Sequence, residues 1–187
     1  MTPLTIVPEN SDSAFSVGGT APVSGIDLNP ELAYFFSIPN PYAEGELISV
    51  FITTDFDRFW EGRGRLMYSC ETVIVFAHKK NGERADDLNA SVLSRHSLRL
   101  EQEEDDYNCE DEYWSHHKLG GFSYLEVSGK LDQKAIQHIR DNNLQFIAQI
   151  SFPDNDDDSV SGNWPVGDCT ISVYSDPGQK KFSVVWA

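Results

Sequence analysis

The chain carries the same punctuation twice. "FSVGGTAPV" at residues 15–23 and "HHKLGGFSYL" at 116–125 each set a glycine pair behind a short strand-like stretch. After Gly18-Gly19 come "LAYFFSIPNP" (32–41) and "LISVFITTD" (47–55). After Gly120-Gly121 come "LQFIAQISFPDN" (144–155) and "CTISVYSD" (169–176). Glycine adopts positive φ without the Cβ clash that other residues meet, so each pair reads as a tight corner. The shared order (corner, apolar strand with a proline, loop, strand with Ile-Ser-Val) predicts an internal duplication within a single domain spanning 1–187. Its halves fall at about 13–98 and 113–187.

Other segments fill in the architecture. "KLDQKAIQHIRDNN" (130–143) places Leu131, Ala135, Ile136 and Ile139 on one face at helical spacing, with Asp132 as N-cap and Asn142-Asn143 as the stop. "ADDLNASVLSRH" (85–96) is a weaker helix through Leu88 and Val92. "ETVIVFAH" (71–78) is a β-branched strand whose Asn81-Gly82 suits a hairpin turn. "FSYLEV" (122–127) reads as a strand after the second corner, and "KKFSVVWA" (180–187) as a C-terminal one. The sum is an α+β fold with a largely antiparallel sheet and two short helices, since few connections are long enough for parallel crossovers.

Charge narrows the partners. Thirty acidic and fourteen basic side chains give a net charge of −16, a field that repels nucleic acid and anionic membranes and attracts basic proteins. Cys70, Cys109 and Cys169 lie far apart with no paired spacing, which fits reduced thiols in a cytosol. "MTPLTIVPEN" has no signal-peptide pattern, and no apolar run approaches the roughly 20 residues that cross a bilayer. The expectation is a cytoplasmic protein.

The densest acidic stretch is "RLEQEEDDYNCEDEYW" (99–114), with Glu101, Glu103, Glu104, Asp105, Asp106, Glu110, Asp111 and Glu112. Self-repulsion makes it a solvated connector over 99–112. Tyr107, Tyr113 and Trp114 interleave with those carboxylates, a mixture suited to a protein contact. Glu103, Glu104, Asp105, Asp106, Glu110, Asp111, Glu112, Tyr113 and Trp114 are therefore the candidate partner-binding residues.

Candidate chemistry is sparse. Adjacent strand residues point to opposite faces, so His116 and His117 cannot share a metal without a bulge, and a histidine bonded to the chain beside the glycine corner is the plainer reading. Gly120-Gly121 lacks the glycine spacing of a phosphate cradle. "DNDDDSVSGNWP" (154–165) alternates Asp154, Asp156 and Asp158 as calcium loops do, yet has Ser159 and Pro165 where such a loop needs glycine and glutamate. "RFWEGRGRL" (58–66) clusters Arg58, Arg63 and Arg65, which in so acidic a chain pair with carboxylates. No G-x-S-x-G elbow is present, and Cys109 sits among acids that raise its pKa. No catalytic residue, cofactor or metal is assigned.

"HHKLGGFSYL", "LQFIAQISF" and "GDCTISVYSD" followed by "KKFSVVW" together resemble the C-terminal half of the YwqG-like family of uncharacterised bacterial proteins. The matching positions are His117, Leu119, Gly120, Gly121 and Phe122, then Leu144, Gln149 and Ile150, then Gly167 and Asp168. Ser123 stands where the family has proline, and Thr170 where it has glycine. The resemblance covers about 114–187 and, more faintly, the copy near 15–55. It implies an α+β fold of two related halves and transfers no catalytic residue. Relatives of this kind occur among immunity-like proteins beside secreted toxins. The expected function is thus a non-enzymatic protein-binding protein, an immunity-type inhibitor of a basic bacterial toxin. The alternative is a small-ligand-binding or hydrolytic protein with a cleft between the halves.

Overall fold

The computed structural model describes residues 1–8, 15–22, 28–54, 67–68, 73–79, 93–103, 117–129, 131, 133–151 and 169–186. Eleven strands among them form one sheet: β1 (Thr2–Pro8), β2 (Ser16–Val17), β3 (Leu32–Pro39), β4 (Glu46–Thr53), β5 (Met67–Tyr68), β6 (Val73–Lys79), β7 (His96–Leu100), β8 (His117–Leu119), β9 (Gln145–Ile150), β10 (Ile171–Ser175) and β11 (Phe182–Trp186). Their spatial order is β5-β11-β10-β9-β8-β1-β7-β2-β3-β4-β6, and every pairing is antiparallel. β6 at one edge approaches β11 and β5 at the other, so the sheet curls into a nearly closed barrel. Two short helices, α1 (Tyr124–Val127) and α2 (Gln133–Asp141), complete the α+β fold.

Side-chain alternation sorts the core. One face of the strands sends Leu4, Val17, Phe36, Ile38, Ile48, Val50, Val75, Leu98, Ile150, Val173 and Trp186 into a single interior cluster. The opposite face carries two smaller clusters. Leu32, Tyr34 and Phe51 pack with Ala21 on one half, while Tyr174 and Val185 pack with Tyr124, Leu125, Leu131 and Ala135 of the helical segment on the other.

The helix expected over 130–143 is α2, and its apolar face is the expected one: Ala135 is buried, with Leu131, Ile136 and Ile139 in the same cluster. It ends as its asparagines suggest. Asn143 has φ 52°, Asn143 N–H donates to the Arg140 carbonyl, and Leu144 N–H donates to that of Ile139, a Schellman closure. Asp132 lies outside the described residues.

Three expectations change. "FSYLEV" does not continue as a strand: Ser123 Oγ accepts from Leu125 N–H at 3.2 Å and caps α1, which turns Tyr124 and Leu125 inward. A local side-chain cap outweighs the β propensity of the aromatics there. In the helix expected over 85–96, residues 85–92 lie outside the described residues. Leu93, Ser94 and Arg95 are not helical, and His96 opens β7. Arg99 and Leu100 are not connector but the end of β7, where pairing to Thr5 and Leu4 satisfies their backbone. The strand expected at 71–78 is β6 from Val73 onward, and the C-terminal strand is β11. The Asn81-Gly82 turn lies outside the described residues.

Candidate functional site

Both glycine pairs are corners with positive φ, as expected: 71° and 71° at Gly18 and Gly19, 67° and 78° at Gly120 and Gly121. Each corner is pinned to the following strand at one point. Gly18 N–H donates to the Phe35 carbonyl at 2.7 Å, and Gly120 N–H to the Ile147 carbonyl at 2.7 Å. Phe35 and Ile147 are each the extra residue at a register shift, between Tyr34 and Phe36 against β4 and between Phe146 and Ala148 against β10. A bulged residue turns its carbonyl out of the ladder, and here the glycine amide takes it up.

A buried polar row crosses the outward face of each half. Ser16 faces Ser37, and Ser37 faces Ser49, across β2, β3 and β4. Lys118 faces Gln149, and Gln149 faces Ser172, across β8, β9 and β10. All six are almost wholly buried. Such polar atoms must be bonded, because an unmade hydrogen bond in the interior costs roughly 1–3 kcal/mol.

In the first row the bonds form a directed chain. His78 Nδ1 lies 3.1 Å from the Lys79 carbonyl, which can only accept, so Nδ1 carries the proton and Nε2 is the acceptor. Ser49 Oγ, 2.7 Å away, donates to Nε2. Ser37 Oγ then donates to Ser49 Oγ at 2.6 Å, and the Tyr34 hydroxyl has two acceptors, Ser37 Oγ at 2.9 Å and the Ser16 carbonyl at 3.1 Å. Ser16 Oγ meets the Tyr34 oxygen at 2.9 Å. Burial pushes the His78 imidazole below the usual histidine range, against weaker raising pulls from the Lys79 carbonyl and Glu46. Neutral His78, with its proton on Nδ1, is the form to which Ser49 donates, and the lowered pKa favours it.

A serine donating to a tautomer-fixed imidazole is the core of a nucleophilic dyad. Ser49, however, is 0% exposed and its oxygen is hemmed by Ser37, so no substrate reaches it. The pairing stabilises the sheet and does no acyl chemistry as it stands. Sequence reading missed it because twenty-nine positions separate its members, and only the β4–β6 pairing brings them together.

In the second row Ser123 Oγ and Ser172 Oγ are 3.0 Å apart, Tyr124 N–H donates to Gln149 Oε1 at 2.9 Å, and Gln149 Nε2 donates to Ser151 Oγ at 3.3 Å. Ser151 N–H donates to His117 Nδ1 at 3.1 Å. His117 is thus a buried histidine bonded to the chain beside its corner, as expected. His116 lies outside the described residues.

Of the candidate partner-binding residues, Glu103 is described and exposed. Glu104, Asp105, Asp106, Glu110, Asp111, Glu112, Tyr113 and Trp114 lie outside the described residues, as do the 58–66 arginines, the 154–165 loop, Cys70 and Cys109. The fold does fix both ends of the connector. β7 and β8 flank β1, and Leu100 and His117 both stand opposite Leu4. Residues 101–116 therefore leave one neighbour of the central strand and return to the other at the same level. Arg99 pairs with Glu101 at 2.8 Å where the segment departs, and that bond holds the Glu101 carboxyl below its usual range.

Among the described residues no group of three or more His, Cys, Asp or Glu side chains could hold a metal ion, and no helix is long and apolar enough to cross a membrane. Cys169 is buried in the interior cluster. No family model, curated protein or solved structure matches the chain.

Proposed function

We propose that the chain is a non-enzymatic, cytoplasmic binding protein of the immunity type, which masks the basic surface of a bacterial toxin and belongs with the YwqG-like proteins. The carrying observation is the concentration of eight acids in the segment 101–112 of a chain with net charge −16, anchored at both ends to the neighbours of β1. A dense single-sign segment on a rigid frame steers a basic partner and speeds encounter. Glu103, Glu104, Asp105, Asp106, Glu110, Asp111 and Glu112 supply the field, and Tyr113 and Trp114 the desolvated anchors. Nucleic acid and anionic membranes are the wrong sign for this surface. Both Ser–His side-chain contacts among the described residues, Ser49–His78 and Ser183–His138, use a buried serine, which favours binding over hydrolysis.

The same proposal takes the two halves as related copies. Supporting it are the matching corners, bulges and polar rows, together with the pairing of Ser37 with Ser49 and Ile38 with Ile48 against Gln149 with Ser172 and Ile150 with Ile171. The repeat extends to leading strands. β1 pairs with β8 and β7 with β2, and Leu4–Leu100 mirrors Leu98–Ile6 across the β1/β7 seam. Each copy then lends its first strand to the other, which makes the pair one cooperative unit.

Capture from the native cell with mass spectrometry supplies a candidate partner, and surface plasmon resonance tests it. Reversing the seven connector acids to lysine should slow association strongly at low salt and leave the melting curve unchanged. Trp114→Ala should raise the dissociation rate instead. An association rate that stays constant from about 50 to 300 mM salt, where the Debye length falls from roughly 14 to 6 Å, would refute the proposal.

A further inference from the structure

The two glycine corners share a backbone but differ in what lies on them. On the first, the segment Leu93–Arg95, which bends at Leu93, is laid directly over the glycines. Gly19 N–H donates to the Leu93 carbonyl at 2.8 Å. A Cβ on Gly18 would stand 2.4 Å from the Ser94 carbonyl oxygen, and one on Gly19 would stand 2.7 Å from Arg95 Cβ. On the second, no atom among the described residues lies within 4 Å of a Cβ placed on Gly120. Gly121 is exposed, and Phe122 beside it is 56% exposed, the largest value among the exposed large hydrophobics of the described residues. Among the described residues no carbonyl accepts from Gly121 N–H, the counterpart of the Gly19 amide.

We infer that the Gly120–Gly121–Phe122 corner is a docking site for a backbone segment of a partner protein, apolar residue followed by a small one, which seats as Leu93-Ser94 does on the first corner. The occupant's chemistry is read from that internal template. A carbonyl accepts from Gly121 N–H, and the next peptide unit lies flat over Gly120, where only a missing Cβ lets it approach. Phe122, next in sequence and 56% exposed, gains burial when the segment arrives. The inference needs neither the acidic connector nor a basic partner, so it stands or falls apart from the inhibitor proposal.

The test is an amide NMR titration of the whole chain with the acetylated, amidated peptide Ala-Ser-Val-Leu-Ser, the sequence of residues 90–94. One hydrogen bond and one aromatic contact support a weak, roughly millimolar complex. The largest shift is expected at the Gly121 amide, with Gly120 and Phe122 next. Gly120→Ala should weaken binding roughly tenfold or more, because its Cβ occupies the docked carbonyl's place. Gly45→Ala is the control for backbone strain, since Gly45 also has positive φ (78°) and open space but belongs to no corner; it should bind as the parent does. No saturable shift at Gly121 would overturn the inference. So would shifts centred on Gly18 and Gly19, or a loss of binding equal in Gly120→Ala and Gly45→Ala.

Discussion

The corner at Gly18-Gly19 and the corner at Gly120-Gly121 have nearly the same φ angles and the same hydrogen bond to a bulged strand residue, yet the first is roofed, while among the described residues nothing lies over Gly120 and Gly121 is exposed. The contrast separates two reasons for a glycine. Positive φ disfavours a side chain at all four positions, by roughly 1–2 kcal/mol each. Only the first corner adds a steric reason, because a neighbouring backbone lies where the Cβ would be. A feature repeated in sequence therefore serves packing once and leaves a surface once.

The largest effect should come from that steric term. Gly18→Ala is expected to destabilise by about 3 kcal/mol or more, since strain adds to a clash with an immovable carbonyl. Gly120→Ala should cost only the strain, about 1–2 kcal/mol. Gly121→Val falls between, at roughly 1–3 kcal/mol, because β-branching worsens the strain at its φ of 78°. Urea melts of the three variants rank them directly, and equal losses at Gly18 and Gly120 would erase the distinction between the corners.

A smaller contrast follows from the polar rows. Ser49 bridges Ser37 and His78, whereas Ser172 meets Ser123. Ser49→Ala strands two buried partners and should cost about 2 kcal/mol, against about 1 kcal/mol for Ser172→Ala. If Ser172→Ala proved the costlier by urea melts, the directed chain in the first half would be the wrong description.

The smallest effect is electrostatic. His78 is held neutral by burial, and His138 is pushed the same way by burial and by Lys181. Folded pKa values below the unfolded value mean that the unfolded chain takes up these protons first on acidification. Stability is therefore full above the ordinary histidine pKa of about 6.5 and declines as pH falls through it. His78→Gln should flatten part of that decline in melting temperature between about pH 7.5 and 5.5. An unaltered pH profile would show that His78 is not the titrating member.

Much of the frame is legible in the chain because its signals are local. Glycine pairs dictate corners, apolar runs dictate β3, β4, β9 and β10, and Leu131, Ala135, Ile136 and Ile139 dictate the buried face of α2. Local signals that compete are harder to read. "FSYLEV" has strand-like aromatics, and one serine hydroxyl on the Leu125 amide decides for a helix. Non-local geometry leaves no trace in a linear reading. Nothing in the spacing of residues 49 and 78 announces a Ser–His bond, nor does any stretch announce that β1 crosses to β8 while β7 crosses to β2. Of the candidate binding residues, the acidic density is legible in the sequence, and Glu103 is described and exposed. The roof over the first corner depends on where residues 93–95 end up, which only the fold specifies.

Native-state amide hydrogen exchange is the most direct test of that central difference. Gly18 and Gly120, both bonded to bulge carbonyls, should be protected to a similar degree. Gly19, bonded to Leu93, should also be protected, while Gly121 should exchange close to the rate of an unstructured amide. Comparable protection at Gly19 and Gly121 would contradict the account, because it would mean that the second corner is roofed as the first is.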